Sequence, residues 1–199
     1  RISQQRVWHR SLRQVGTKAR AAYKKELRTC SHGKKPAMTT SSSATSDKCR
    51  TFRQLHAQGC FVIPNPWDVG TARYLQHLGY KALATTSAGF AYAVGHADDE
   101  VPLAPMLAHL RELAAATEVP VNADFGDGYA DHPDGVGENV RRCVETGVAG
   151  LSIEDSTGEK DAPLYDLEHA VARVRAARTA IDATGGGVVL TARCESFLV

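Results

Sequence analysis

No apolar run in this 199-residue sequence approaches the roughly 18 residues that a membrane-spanning helix needs, so no membrane partner is expected. Cysteine is present but unpaired in pattern. Cys30, Cys49, Cys60, Cys143 and Cys194 form no CxxC and no repeated spacing, so neither a zinc motif nor a disulfide framework is expected. Reduced thiols in a cytoplasmic protein are the expected state. There is no GxGxxG after the first expected strand, no P-loop, no GxSxG elbow and no HExxH. Those absences exclude the local signatures of dinucleotide folds, phosphate-cradling NTPases, α/β-hydrolases and zinc proteases.

Acid is missing from one end only. Residues 1–37 hold eleven Lys/Arg and the single acid Glu26, whereas residues 38–199 hold thirteen Lys/Arg and twenty-one acids. The acidic remainder does not read as a nucleic-acid binder. The basic stretch fits an arm, a tail, sequence upstream of a start at Met38, or an organellar presequence, which would make the location mitochondrial. Residues 38–47 read as a flexible linker, so a division into an extension over 1–47 and a domain over 48–199 is expected.

Strand and helix signals then alternate. Phe52 and Leu55 predict a short helix closed at Gly59, and Cys60–Ile63 a first strand ending in Pro64-Asn65-Pro66-Trp67-Asp68. Tyr74, Leu75 and Leu78 predict a helix, and Lys81–Thr86 a second strand ending in Ser87-Ala88-Gly89. Leu103, Met106, Leu107, Leu110 and Leu113 have helical spacing. The third strand, from Val119, runs into Asn122, Asp124 and the glycine turn Gly126-Asp127-Gly128. Val136, Val140 and Val144 mark a helix, Val148–Ile153 a fourth strand ending in Glu154-Asp155, and Leu167, Val171, Val174 and Ile181 a long helix behind Asp166. Gly187–Ala192 is the fifth strand, carrying Arg193 and Glu195, with Cys194 pointing into the sheet–helix layer as an inert thiol.

Five strand–helix repeats imply an α/β fold with a parallel sheet, either doubly wound or part of a (β/α)8 TIM-type barrel. In a doubly wound sheet, function gathers at one switch point, whereas in a barrel every strand contributes to one mouth. All five expected strands end in polar signatures, which favours the barrel. The sequence opens on Arg1 and stops after the fifth strand, so three further units are expected beyond Val199.

Residues i and i+2 share a strand face. This pairs Asn122 with Asp124, Ser152 with Glu154, Arg193 with Glu195, and Thr85 with Ser87. Several carboxylates at one mouth repel unless compensated, and Mg²⁺ (or Mn²⁺) suits a set that supplies one or two carboxylates plus water and substrate oxygens. Arg193 is then available to fork onto a substrate carboxylate or a developing enolate oxygen. Taken singly, Asp124 also fits a turn cap, and Arg193 a structural ion pair with Glu195.

From about Phe52 to Leu198 the sequence resembles the isocitrate lyase and phosphoenolpyruvate mutase superfamily. The resemblance is carried by PNPWDVGTARYL, ALATTSAGFAYAVGHADD, VPVNADFGDGYAD, GLSIEDSTG and LTARCESFL. It implies a (β/α)8 barrel, a Mg²⁺ ion, a small carboxylate substrate, an enolate-type species and a homo-oligomer. By that resemblance Trp67, Ser87, Ala88, Gly89 and Arg193 bind substrate. Asp98, Asn122, Asp124 and Glu154 serve the metal, and Glu154 and Arg193 act in catalysis. Asn122 stands where the family's Asp-x-Asp pair has its first acid. The lyases for isocitrate and methylisocitrate carry a lid with an acidic Cys, but Ser156–Pro163 holds neither Cys nor His, which speaks against either substrate. The expected function is lyase-type cleavage or decarboxylation of a 2-oxo or 2-hydroxy acid. The alternatives are P–C chemistry or a non-catalytic barrel acting as an interaction protein.

Overall fold

Four short parallel strands lie in the order β1 (Leu83–Ala84), β2 (Val121–Asp124), β3 (Gly150–Glu154) and β4 (Val189–Arg193). The structure is a computed structural model that describes residues 41–199 except Asp99, Gly186, Leu198 and Val199, with no side-chain detail for 41–44. Most of the basic extension therefore lies outside the described residues. Each strand neighbours the one before it in sequence, with a helix in every crossover. A doubly wound sheet would reverse its order at a switch point, and this one does not. It is a parallel α/β sheet of the kind that forms an arc of a barrel wall.

The helices are α1 (Ser41–Ala57), α2 (Val69–His77), α3 (Ser87–Ala93), α4 (Leu103–Ala116), α5 (Pro133–Val144) and α6 (Leu167–Ala183). Local chemistry sets several of their starts. Asp68 and Thr71 form a reciprocal capping box at α2, Thr86 caps α3, and Asp166 caps α6. On the helix-facing side of the sheet, Ala123, Leu151 and Ile153 meet Met106, Leu110, Val136, Val140 and Ile181 in the main buried core, and Val121 packs with Ala72, Leu83 and Leu113 in a smaller one. The opposite face is polar toward its C-terminal end and is floored by Phe52 of α1. A Cβ added to Gly150 would clash with the Phe52 ring and lie 2.6 Å from Asn122 Oδ1, so only glycine admits the plug there.

Several sequence expectations are corrected. Cys60–Ile63 is not a strand. Phe61 and Ile63 do face the core while Cys60 and Val62 face outward, but Pro64 and Pro66 have no N–H to give a ladder. A backbone bond from Ala84 N to Pro64 O at 3.1 Å, together with the Asn65 side chain, holds the end of the segment along β1. Four strands rather than five are thus present among the described residues. The expected linker is helical from Ser41 onward. Ser87-Ala88-Gly89, expected at the end of the second strand, is the first turn of α3. In α6, Leu167 and Val171 are exposed, and the buried positions are Arg173, Ala177 and Ile181. Small side chains explain this, because Gly137 of α5 approaches the backbone of Ala176. Cys194 follows the end of β4 and is exposed, its thiol 3.3 Å from Ser196 Oγ, and does not enter the sheet–helix layer.

Candidate active site

Parallel register brings the polar ends of the strands together. Ala84 pairs with Asn122, Asp124 with Ser152, Ser152 with Thr191, and Glu154 with Arg193. One face consequently carries Thr85, Asn122, Asp124, Ser152, Thr191 and Arg193, which line a cavity of about 490 Å³ above Phe52 and His56.

Arg193 is the centre of this face. Its Nη1 lies 3.0 Å from Asp124 Oδ1 and 2.5 Å from Glu154 Oε1, and its Nη2 lies 2.9 Å from Glu195 Oε1. Three carboxylates from three segments thus share one guanidinium. Asp124 does not cap its own turn. Its second oxygen accepts from Ser87 N at 2.9 Å and from Ser87 Oγ at 3.0 Å, and its own N–H donates to Thr85 Oγ1 at 2.9 Å. The carboxylate thereby ties the start of α3 to the end of β4. Glu154 is fixed through its backbone N–H, which donates to Gly126 O at 2.9 Å. Glu195 is fixed by its N–H on Asp155 Oδ1 at 2.8 Å.

The expected site residues fall into two sets. Ser87, Asp124, Glu154 and Arg193 are in one hydrogen-bonded chain, with Asn122 on the same cavity wall. Trp67 is half exposed in the turn before α2, and its Cβ would sit 3.3 Å from a Cβ on Gly89, which sets it beside the first turn of α3. Gly89 N donates to Thr86 Oγ1 at 3.1 Å. Asp98 lies on the exposed turn between α3 and α4. Two contributors were not singled out from sequence. Thr191 follows from the same i, i+2 alternation as Arg193. Asn65 donates to Ala84 O at 3.0 Å and Thr85 O at 3.3 Å, and its only signal is its place between two prolines.

A second cavity, about 300 Å³, is lined by Ser87 and Glu154, which bond Asp124 and Arg193 of the first. It is floored by Ala91, Val101 and Met106 and covered by Gly126, Asp127, Tyr129 and Ser156–Gly158. Tyr129 holds a positive φ of 59° at this rim, a conformation that costs a non-glycine residue on the order of 1 kcal/mol. Ser156–Pro163, the stretch in the place of the lid of the isocitrate and methylisocitrate lyases, folds back on itself. Ser156 bridges Leu164, and Thr157 N donates to Pro163 O at 2.9 Å.

The donor set suits a hard cation. Asp124 and Glu154 supply two hard carboxylate donors side by side, as many as Mg²⁺ takes from protein when water and substrate oxygens complete its shell, and in this structure both are paired with Arg193 Nη1. Among the described residues no three His, Cys, Asp or Glu gather into a preformed cage. Nor, among those residues, is any helix long and apolar enough to cross a membrane.

A parallel strand arc whose C-terminal ends converge on acids and one arginine defines the class, a barrel-type α/β fold with a carboxylate–guanidinium site. The model of the family described as phosphoenolpyruvate phosphomutase matches residues 52–199, and the chain belongs to that family. An uncharacterized protein of Mycobacterium tuberculosis is 34% identical over 148 residues, covering 74% of this chain and 54% of that protein. A crystal structure of a candidate lyase/mutase from Burkholderia cenocepacia is 44% identical with a TM-score of 0.77, covering 78% of this chain and 57% of that one. The structure of 2,3-dimethylmalate lyase, a member of the PEP mutase/isocitrate lyase superfamily, is 31% identical with a TM-score of 0.68, over 81% of this chain and 55% of that one. The chain therefore spans a little over half the length of these relatives.

Proposed function

We propose that the protein carrying this chain is a Mg²⁺- or Mn²⁺-dependent lyase-type enzyme that cleaves or decarboxylates a small 2-oxo or 2-hydroxy acid. The observation that carries the reading is Arg193, buttressed by Asp124, Glu154 and Glu195 at the mouth of a polar cavity. A planar fork already aligned on carboxylates is matched to a substrate carboxylate or an enolate oxygen. Ser87, Ala88 and Gly89 take other substrate oxygens, beside Trp67. Asp124 and Glu154 hold the cation, with Asn122 and Asp98 as further oxygen donors. When bound, the cation supplies positive charge against the negative charge that develops next to the α-carbon.

A 2-hydroxy acid is cleaved at the bond next to its hydroxyl-bearing carbon. The hydroxyl oxygen loses its proton, the C–O bond becomes C=O, the adjacent C–C bond breaks, and its electron pair stays on the leaving fragment as an enolate. Glu154 takes the hydroxyl proton, and Arg193 stabilises the enolate oxygen. The Ser156–Pro163 loop limits water access to that enolate. Without Cys or His in that loop, isocitrate and 2-methylisocitrate are not substrates.

P–C bond chemistry is the second reading, favoured by the phosphomutase family match. Asn122, in the place of an acid, favours a third reading, a non-catalytic barrel. A panel of 2-oxo, 2-hydroxy and phosphono acids, incubated with the natural full-length protein and Mg²⁺, separates them. Release of a 2-oxo acid or CO₂ from a 2-hydroxy or 2-oxo acid, lost in Arg193→Lys, supports the first. Turnover of phosphono acids alone supports the second, and no turnover with no Mg²⁺ binding supports the third.

A further inference from the structure

Arg173 is 1% exposed, in the middle of α6, and belongs to neither cavity. Burying a guanidinium is costly unless its donors are satisfied. Here the partners are backbone carbonyls rather than acids. Nη1 donates to Ala130 O and to Asp131 O at 2.6 Å, and Nη2 donates to Asp127 O. Its guanidinium carbon also lies 4.1 Å from the centre of the Tyr165 ring. One side chain thus grips the loop after β2 and packs on the residue that closes the loop after β3.

Both loops lead directly to Glu154. Gly126, at the start of the first loop, accepts the Glu154 N–H at 2.9 Å. Tyr165, at the end of the second, donates its N–H to Asp155 O at 3.0 Å. The first loop is held at further points. Asn139 donates to Gly128 O and Tyr129 O, both at 3.1 Å, and His169 Nε2 lies 2.9 Å from Asp131 O. Those contacts keep Tyr129 in its positive-φ conformation at the rim of the second cavity. Among the described residues its hydrogen-bond partners are three backbone carbonyls, while its buried Nε has none, so the cation adds little to the apolar core and a hydrophobic residue would serve packing as well. What a hydrophobic residue could not do is bind three carbonyls of an irregular loop at once.

We infer that Arg173 is a positioning residue that fixes the Asp127–Asp131 and Asp155–Tyr165 loops against each other and thereby sets the Glu154 carboxylate opposite Arg193. The catalytic consequence rests on the proposed reaction, whereas the anchoring does not.

The test compares Arg173→Met and Arg173→Lys in the natural full-length protein by amide hydrogen exchange and by steady-state kinetics. Methionine preserves length and apolar packing but donates nothing. Lysine keeps the charge but lacks the planar fork. In Arg173→Met the amides of Glu154, Gly128 and Tyr165 should exchange at least about 10-fold faster, with those of Leu151 and Val140 changed less than about 3-fold, local opening rather than global destabilisation. Lysine should restore part of that protection. The kcat should fall at least about 10-fold with KM within about 3-fold, since Glu154 is displaced while the Arg193 end of the site is kept. Uniform acceleration of exchange across the core, or protection unchanged at Glu154, overturns the inference, as does failure of both variants to fold. If the parent protein turns over none of the acids tested, the proposed reaction fails, and the exchange data still decide the anchoring.

Discussion

Replacing Asp124 by Asn is the substitution whose outcome the geometry constrains most tightly. The carboxylate uses one oxygen for two Ser87 donors and the other for Arg193 Nη1, and its side chain is only 17% exposed. Asparagine offers one acceptor oxygen and one NH₂ group. With the oxygen toward Ser87, the NH₂ confronts a guanidinium; flipped, the bond from Ser87 N–H is lost and the Ser87 hydroxyl must turn to accept from the NH₂. A hydrogen bond to a charged group is worth about 1.5–3 kcal/mol. Arg193 is 39% exposed and keeps Glu154 and Glu195, so part of the loss is recovered by solvent and by these acids. A net destabilisation of about 2 kcal/mol follows. Urea unfolding of the full-length protein at constant m-value measures it. Arg193→Met placed on top should cost about 1 kcal/mol less than it does alone, because the two groups are coupled. A change below about 0.5 kcal/mol, a gain in stability, or strict additivity would refute the reasoning. A gain in particular would mean that repulsion between Asp124 and Glu154 outweighs their shared pairing to Arg193.

Two further outcomes are expected. Gly150→Ala drives a methyl into the Phe52 ring and Asn122 Oδ1 and should cost about 1–3 kcal/mol by overpacking; Gly150→Ala with Phe52→Leu should recover part of it, and chemical denaturation of both variants checks this. His109 is stacked on Phe90 at 3.8 Å and buried, and burial pulls its pKa down to about 4 despite Asp68 nearby. The unfolded chain, with a pKa near 6.5, therefore binds the proton first, and stability falls as pH drops from about 6.5 to about 4, by at most about 3 kcal/mol. His109→Leu should flatten that part of the stability profile, and an unchanged profile counts against neutral burial.

The strands that carry the site were legible because each couples an apolar run to a polar end, and alternation then assigns Asn122, Asp124 and Arg193 to one face. The first expected strand was not legible as a failure, since its alternation is real and only the missing N–H groups of Pro64 and Pro66 remove the ladder. Ser87-Ala88-Gly89 reads as a turn by composition, yet the Thr86 cap and the Ser87–Asp124 bonds make it the start of a helix. Leu167 and Val171 kept helical period while facing outward, because α6 packs on α5 through small residues. Arg173 left no trace in any periodicity argument. A cation in an apolar stripe is ordinarily assigned to solvent, and only the carbonyls of a loop some forty residues earlier reveal its place.

If Arg193, framed by Asp124 and Glu154, receives a substrate carboxylate or an enolate oxygen in the presence of a divalent cation, a small anion of the same shape should bind there too. Oxalate is a planar mimic of such an enolate. Calorimetric titration of oxalate into the natural full-length protein, with and without Mg²⁺, tests the claim most directly. The account predicts binding that requires Mg²⁺ and is weakened at least about 10²-fold in Arg193→Met, the scale on which one electrostatic partner acts. Equal oxalate affinity in the parent and in Arg193→Met, or no Mg²⁺-dependent binding at all, would contradict it.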